Sequence, residues 1–257
     1  MTVPTEAKAT GATGGVQSVE RAFALLEVLA TRGGEAGVGE LSAALELPGP
    51  TVHRILGTLV DRGYVMRLPS RRYSLGPGLM RLGEASRDRL ASWAMPALAR
   101  LGEVTQEAAN LAVLDGDLAT YVAQVPSKHH MRMFTEVGRR VLPHAAGVGK
   151  ALLSQLPDEE VRSLVRRTGM PAFTDTTHTT EQSLLEDLAT IRARGYAIDE
   201  GEQELGVRCF AVPVPGLPLL AAVSISGPEA RVRLDLAGRT EQLLRAAAGT
   251  LRNSIPA

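Results

Sequence analysis

A chain of 257 residues is long for one minimal domain, so two domains, each with its own core, are the natural expectation. Its 28 basic and 28 acidic residues cancel, and 44% of the residues are hydrophobic, so the composition is that of an ordinary globular protein and any affinity for nucleic acid has to come from a local patch. A single cysteine, Cys209, excludes an intramolecular disulfide framework and points to a reducing, cytoplasmic setting, while no stretch approaches the ~18 apolar residues of a membrane span.

Residues 1–15 are rich in Ala, Thr and Gly, carry no secretory pattern and are expected to form a disordered tail. Val19, Ala22, Phe23, Leu25, Leu26 and Leu29 recur at helical spacing, with Ser18 as the expected N-cap, until Gly33-Gly34 stops the helix. A short helix over Val38–Leu45 should turn Leu41, Ala44 and Leu45 inward. After the turn at Leu47-Pro48-Gly49 a third helix is predicted from Pro50 to Asp61, with proline at its start and Gly63 beyond its end. Tyr64–Arg67 and Arg72–Leu75 flank a polar break and read as a β-hairpin. Three helices followed by a hairpin are the order of a winged helix-turn-helix, placed at residues 16–76.

A linker helix is expected over 77–93, from Leu79 to about Leu90, and a further helix over Ala94–Thr105, kinked or started near Pro96. From Ala108 the period changes. Ala108–Leu114 and Leu118–Val125 flank Asp115-Gly116-Asp117 as a hairpin, and a strand is expected at Met131–Val137. Helices are predicted to start at Gly147-Val148-Gly149-Lys150 and to span Asp158–Thr168 and Thr180–Arg194. Strands at Val207–Val214 and Leu219–Ser226 and a final helix over Leu236–Ile255 complete the second domain, 94–257. The fold class is therefore α+β, with a mixed α/β sensor domain after the winged helix.

Between Gly49 and Leu75 five arginines, Arg54, Arg62, Arg67, Arg71 and Arg72, face one acid, Asp61, a local surplus of +4 in a neutral chain. Thr51, His53, Arg54 and Thr58 on the third helix, with Arg67, Arg71 and Arg72 on the hairpin, are the candidate residues for double-stranded DNA, reaching base edges and phosphates. Charge alone does not separate this reading from a solvated turn on an ordinary bundle; the order of elements does.

Gly147-Val148-Gly149-Lys150 lacks the leading glycine and trailing Ser/Thr of a phosphate-binding loop, since His144 and Ala151 stand there, and what survives is a glycine-rich helix start suited to a carboxylate. Cys209 with His144 is a weak nucleophile pair, and His129-His130 and His178 lack metal-ligand spacing, so neither a catalytic residue nor a metal or other cofactor is expected. The rival readings are an enzyme with a DNA-binding-like appendage and a protein-interaction module; the first would need a convergent acid, base or nucleophile set.

Val16–Ala22, Leu41, Pro48, Thr51–Arg54, Leu59, Gly63-Tyr64 and Tyr73–Gly76 resemble the opening of IclR-family transcription regulators, and Pro143–Leu153, Gly195–Glu202 and Val223–Pro228 resemble the effector domain of that family. The resemblance implies a GAF-like effector-binding domain and a DNA-binding regulator working as a homodimer or homotetramer. It is sharpest toward members governing allantoin and glyoxylate use, through Met131-Arg132-Met133, His144-Ala145, Asp199, Cys209 and Ser224–Pro228. Carried over position by position, it implies an effector pocket of Ala146, Gly147, Val148, Asp199, Cys209, Ser224, Ile225 and Ser226, for a small carboxylate such as glyoxylate or for a ureide. Ala146 departs from the hydroxyl residue and Val148 from the smaller residue of those relatives, which removes one donor and tightens the cavity. Whether the regulator represses or activates is not written in the sequence.

Overall fold

The structure, a computed structural model, describes residues 15–31, 34–129 and 136–254. Helix α1 (Gln17–Thr31) starts one residue ahead of the expected cap. The Val16 carbonyl takes the Val19 and Glu20 amides at 2.8 and 3.2 Å, so Ser18 lies in the first turn. Leu25 and Leu29 are fully buried, but Val19 and Phe23, expected on the same face, are exposed. At about 100° per residue Phe23 lies more than a quarter-turn from the Leu25–Leu29 ridge, and only that ridge reaches the core. Helices α2 (Val38–Leu45) and α3 (Gly49–Asp61) bring Leu41, Val52, Leu56 and Leu59 to it; Ala44, expected inward, is exposed.

Strands β1 (Glu35–Ala36), β2 (Val65–Arg67) and β3 (Tyr73–Leu75) form an antiparallel sheet in the order β1-β3-β2, with Ala36 opposite Tyr73 and Val65 opposite Leu75. The hairpin is the expected wing; β1, two residues long, is too short to show a period in the sequence. The chain divides into two compact units, one up to Ser86 and one from Arg87 on.

Where a linker helix and a second helix were expected, a single helix α4 runs from Gly78 to Thr105 with Pro96 inside it. Proline removes one backbone hydrogen bond. On either side of it the helix is held by burial of Ala94, Ala97, Leu98 and Leu101, and by the Trp93 indole, which donates to the Leu251 carbonyl at 2.9 Å.

In the second unit β4 (Ala108–Asp115), β5 (Leu118–Val125), β6 (Arg140–Val141), β7 (Ala197–Glu200), β8 (Val207–Pro213) and β9 (Ala221–Pro228) build one antiparallel sheet in the order β6-β5-β4-β9-β8-β7. Helices α5 (Gly147–Leu153), α6 (Asp158–Thr168) and α7 (Glu181–Arg194) pack into the core on one face. The carboxyl end of α4 and α8 (Ala237–Asn253) cover the other. Coverage on both faces explains why seven of the eight residues of β9 are buried and why its sequence lacks a clean polar alternation. Thr180 caps α7, its hydroxyl accepting from the Ser183 amide at 3.2 Å. The N-terminal tail, most of the strand expected at Met131–Val137 and the predicted end of the last helix at Ile255 lie outside the described residues.

Candidate functional site

On α3, His53, Arg54 and Thr58 are exposed and Thr51 is half-buried, all clear of the buried Val52, Leu56 and Leu59. The Thr58 hydroxyl donates to the Arg54 carbonyl at 3.2 Å and keeps lone pairs free to accept. Arg67 and Arg71 are exposed on the wing, and Arg71 holds φ +62, a left-handed conformation unusual for a residue with a side chain. Two hydrogen bonds close that tip, Leu68 N–H to Arg72 O at 2.8 Å and Arg71 N–H to Leu68 O at 2.9 Å.

Arg72 behaves differently from the expectation. Its Nε lies 3.2 Å from Glu35 Oε1 and its Nη2 2.8 Å from Glu40 Oε2, with a further bond from Nη2 to the Glu35 carbonyl at 3.2 Å. Both acids lie upstream of the basic segment Gly49–Leu75 and neutralise the Arg72 charge, which ties β1 and α2 to the wing. Arg62, exposed at the end of α3, and Arg21 on α1 line a groove together with Arg54, and neither was among the candidate residues. Their signal was available as positive charge on the helix surfaces flanking α3.

The candidate effector residues divide between the two faces of the large sheet. Ser224, Ser226 and Cys209 lie on the face covered by α5, and Ala146, Gly147, Val148 and Asp199 are buried beside them. Ile225 does not. Its cross-strand partners are Phe210 and Ala109, and all three belong to the core on the α4 and α8 side. A strand alternates its side chains, so a residue between Ser224 and Ser226 has to point the other way; its backbone is paired on both sides and offers nothing to a ligand.

Two residues join this patch that the sequence reading passed over. Asn110 on β4, 1% exposed, donates through Nδ2 to Ser226 Oγ at 3.2 Å and Ser224 Oγ at 3.4 Å, and Gln124 on β5 donates to Asn110 Oδ1 at 3.1 Å. The signal was a lone asparagine in the apolar run Ala108–Leu114. Both serines act as acceptors toward Asn110; the Ser226 hydroxyl proton is left available, while that of Ser224 faces the Cys209 sulfur.

The start of α5 is seated by close contact. A methyl group on Gly147 would stand 2.8 Å from Cys209 Sγ, and one on Gly149 would stand 2.4 Å from the backbone of Pro143, so a side chain at Gly147 displaces Cys209 and one at Gly149 requires backbone movement. Burial pushes the Cys209 thiol far above its ordinary range, and the Ser224 hydroxyl and the Val148 amide face its sulfur, which makes it an inert packing group. Burial raises the Tyr121 phenol likewise. Asp199 is 4% exposed; burial first, then the nearby Glu202 charge, lift its carboxyl to about 7, against the Glu202 amide that donates to its Oδ1 at 2.8 Å.

Behind Asp199 lies a charged network. Lys150 on α5 is 1% exposed, with Nζ 2.7 Å from Asp187 Oδ2 and 2.5 Å from Glu202 Oε1. Burial works to raise Asp187, but hydrogen bonds from His178 and Lys150 and the Lys150 charge outweigh it and bring the carboxyl to about 2. Burial holds Glu202 above its usual range despite Lys150, and its Oε2 has no hydrogen-bond partner among the described residues. The donor atoms of His178, Asp187 and Glu202 thus lie within 4.8 Å of one another, a grouping of metal-ligating residue types invisible in the spacing of His178 alone. The Lys150 ammonium lies between the two carboxylates and supplies the positive charge that a cation would bring. His144 is fully buried on the Pro171 carbonyl, 3.1 Å from Nε2, and burial lowers its pKa. No helix among the described residues is long and apolar enough to cross a membrane.

The chain is 38% identical over 232 residues to the Transcriptional repressor IclR of Escherichia coli, covering 87% of this chain and 84% of that protein. It is 38% identical over 224 residues to the HTH-type transcriptional regulator BhcR of Paracoccus denitrificans, covering 85% and 80%. The crystal structure of an IclR homolog from Microbacterium hydrocarbonoxydans complexed with 4-hydroxybenzoate is 25% identical, superposes with a TM-score of 0.66 and covers 92% of this chain and 98% of that one. Residues 18–69 match the IclR helix-turn-helix domain and residues 84–253 the bacterial transcriptional regulator IclR C-terminal domain. The chain belongs to the IclR family of bacterial transcriptional regulators, and its relatives are regulators rather than enzymes.

Proposed function

We propose that the chain is a repressor whose hold on operator DNA is modulated by a small carboxylate bound between the Ala146-Gly147-Val148 turn and the Ser224–Ser226 strand. The observation that carries the effector half is the buried polar patch. Asn110, Ser224, Ser226 and Asp199 line an otherwise apolar face, and burying such groups is costly unless they are satisfied or serve a ligand. The Ser226 hydroxyl and a protonated Asp199 are donors suited to an anion. Glyoxylate is the first choice and a ureide the alternative, because an ionised Asp199 would accept from a ureide N–H. The relative complexed with 4-hydroxybenzoate supports a carboxylate, and the name of the Escherichia coli relative supports repression. Thermal shift of the whole chain against a panel of small oxo-acids and ureides tests the ligand class; no shift from either class would remove the reading.

On the DNA side, α3 is assigned to the major groove and the wing to the flanking phosphates. Binding to the chain's own promoter fragment should weaken steeply with salt, log K falling with a slope of about −0.9 per neutralised phosphate. Arg54→Ala and Arg71→Ala should each cost roughly 1–3 kcal/mol in affinity, and each should flatten the slope by about 1 if it holds a phosphate. Arg72→Ala should leave the slope in place and show its effect in melting temperature. Unchanged affinity in both Arg54→Ala and Arg71→Ala would move the DNA face elsewhere.

The regulator is further expected to act as a dimer, and as a pair of dimers on longer operators, because two half-sites on one assembly multiply a small single-domain interface. Sedimentation at micromolar concentration, with and without operator DNA, reads this directly; a monomer in both conditions contradicts it.

A further inference from the structure

Ile225, turned away from the effector patch, borders a second concavity on the opposite face of the sheet. A groove of about 170 Å³ lies between the end of α4 and the start of α8, with Val104, Ile225, Val232 and Leu243 as its apolar walls and Arg239 and Thr240 beside them. That volume is close to the ~150 Å³ in which an apolar cavity holds one benzene ring.

Its charge is not balanced. Arg231 is held by the buried Glu107 carboxylate through Nε and, at 3.1 Å, Nη2, and Arg233 is held by Asp235 at 2.8 and 2.6 Å. Arg239 is exposed and makes no ion pair or hydrogen bond among the described residues, so one positive charge faces the groove unpaired.

Thr240 is the independent sign of a ligand. It is only 8% exposed, it lines the groove, and its hydroxyl makes no hydrogen bond among the described residues. Other helical threonines of this protein behave otherwise: Thr105, Thr168, Thr190 and Thr250 each return the hydroxyl proton to the carbonyl four residues back, at 2.8 to 3.2 Å. The hydroxyl opens to the groove rather than being sealed in the core, so its proton is available to an acceptor bound there. Thr240 lies in the first turn of α8, a helix of 17 residues without a side-chain cap, whose positive end favours an anion although the Ala237 amide is taken by the Leu234 carbonyl.

We propose that this groove is a second small-molecule site, for a monocarboxylate with a compact apolar body of about one aromatic ring. The carboxylate takes the Thr240 hydroxyl and the Arg239 guanidinium at the start of α8, while the apolar body rests on Val104 and Ile225. The site is separate from the effector patch yet backs onto it, since β9 presents Ser224 and Ser226 to one and Ile225 to the other. It does not depend on the identity of the effector.

The test is titration of the full chain with 4-fluorobenzoate followed by fluorine NMR, with unlabelled benzoate as competitor. Saturable, competable binding is expected, weakened about tenfold by Thr240→Val and by Arg239→Gln and unchanged by Ser224→Ala. Thr240→Val keeps the shape of the side chain and Arg239 is exposed, so both variants are expected to fold; circular dichroism checks this. Absence of saturable binding, or binding untouched by both substitutions, overturns the proposal. So does binding lost on Ser224→Ala but kept in Thr240→Val, which would assign the ligand to the effector patch.

Discussion

Lys150→Met is expected to destabilise the second unit by about 3–5 kcal/mol, because removing one partner from a buried ion network leaves the others uncompensated. The ammonium is 1% exposed and lies within 2.7 Å of two carboxylate oxygens, Asp187 Oδ2 and Glu202 Oε1, that face it from α7 and from the loop after β7. Methionine matches the stem in length and apolar character, so the loss is of charge more than of packing. For a unit of this size the melting temperature should fall by roughly 6–20 °C. The pH dependence separates the two causes. Without Lys150 the Glu202 carboxyl, which burial already holds above its unfolded value, rises further, and Asp187 loses part of what holds it down, so the penalty is absent well below the unfolded range near 4 and grows as pH rises above it. Melting of wild type and variant at pH 5 and pH 7.5 should show a smaller gap at pH 5. An equal gap at both would assign the loss to packing and sink the electrostatic account.

The same network shows where the sequence stops being legible. Helix starts at Gly49, Gly147 and Asp158, and the hairpin at Asp115–Leu118, are written locally in proline, glycine and charge, and they can be read without knowing what lies across the sheet. Lys150, Asp187 and Glu202 are separated by tens of residues, and each alone looks like a surface charge; only the docking of α7 against α5 makes them one buried group. The ion pairs of Arg72 are hidden for the same reason, since its partners Glu35 and Glu40 lie outside any window centred on the wing. The family resemblance named the Ser224–Ser226 segment but not the direction of each side chain. Period-two alternation would have excluded Ile225 from the sequence alone. The continuous α4 was hidden by Pro96, which suggests a boundary wherever local rules are applied without the buried stripe of Ala94, Ala97, Leu98 and Leu101 that overrides them.

Affinity for a carboxylate effector is expected to hold steady up to about pH 7 and then to fall toward tenfold per pH unit, about 100-fold by pH 9. The reason is Asp199. Burial, reinforced by the Glu202 charge, lifts its carboxyl to about 7, so below that pH it stands beside the proposed ligand as a neutral acid and can donate to it. Above it the same group is an anion in an apolar enclosure, and a ligand carboxylate is repelled or must carry a proton in with it. A ureide has no charge to repel and gains an acceptor when Asp199 ionises, so its affinity should stay level or rise across the same interval. Asp199→Asn retains an oxygen for the Glu202 amide, which Asp199 Oδ1 accepts at 2.8 Å, and removes the titration. The variant should therefore bind glyoxylate at pH 9 about as well as wild type does at pH 6.5, and Glu202, still present, serves as the internal control for other buried acids. Calorimetry of wild type and Asp199→Asn against glyoxylate between pH 6 and pH 9 makes the measurement. A flat wild-type profile, or an identical fall in the variant, would show that Asp199 does not face the ligand.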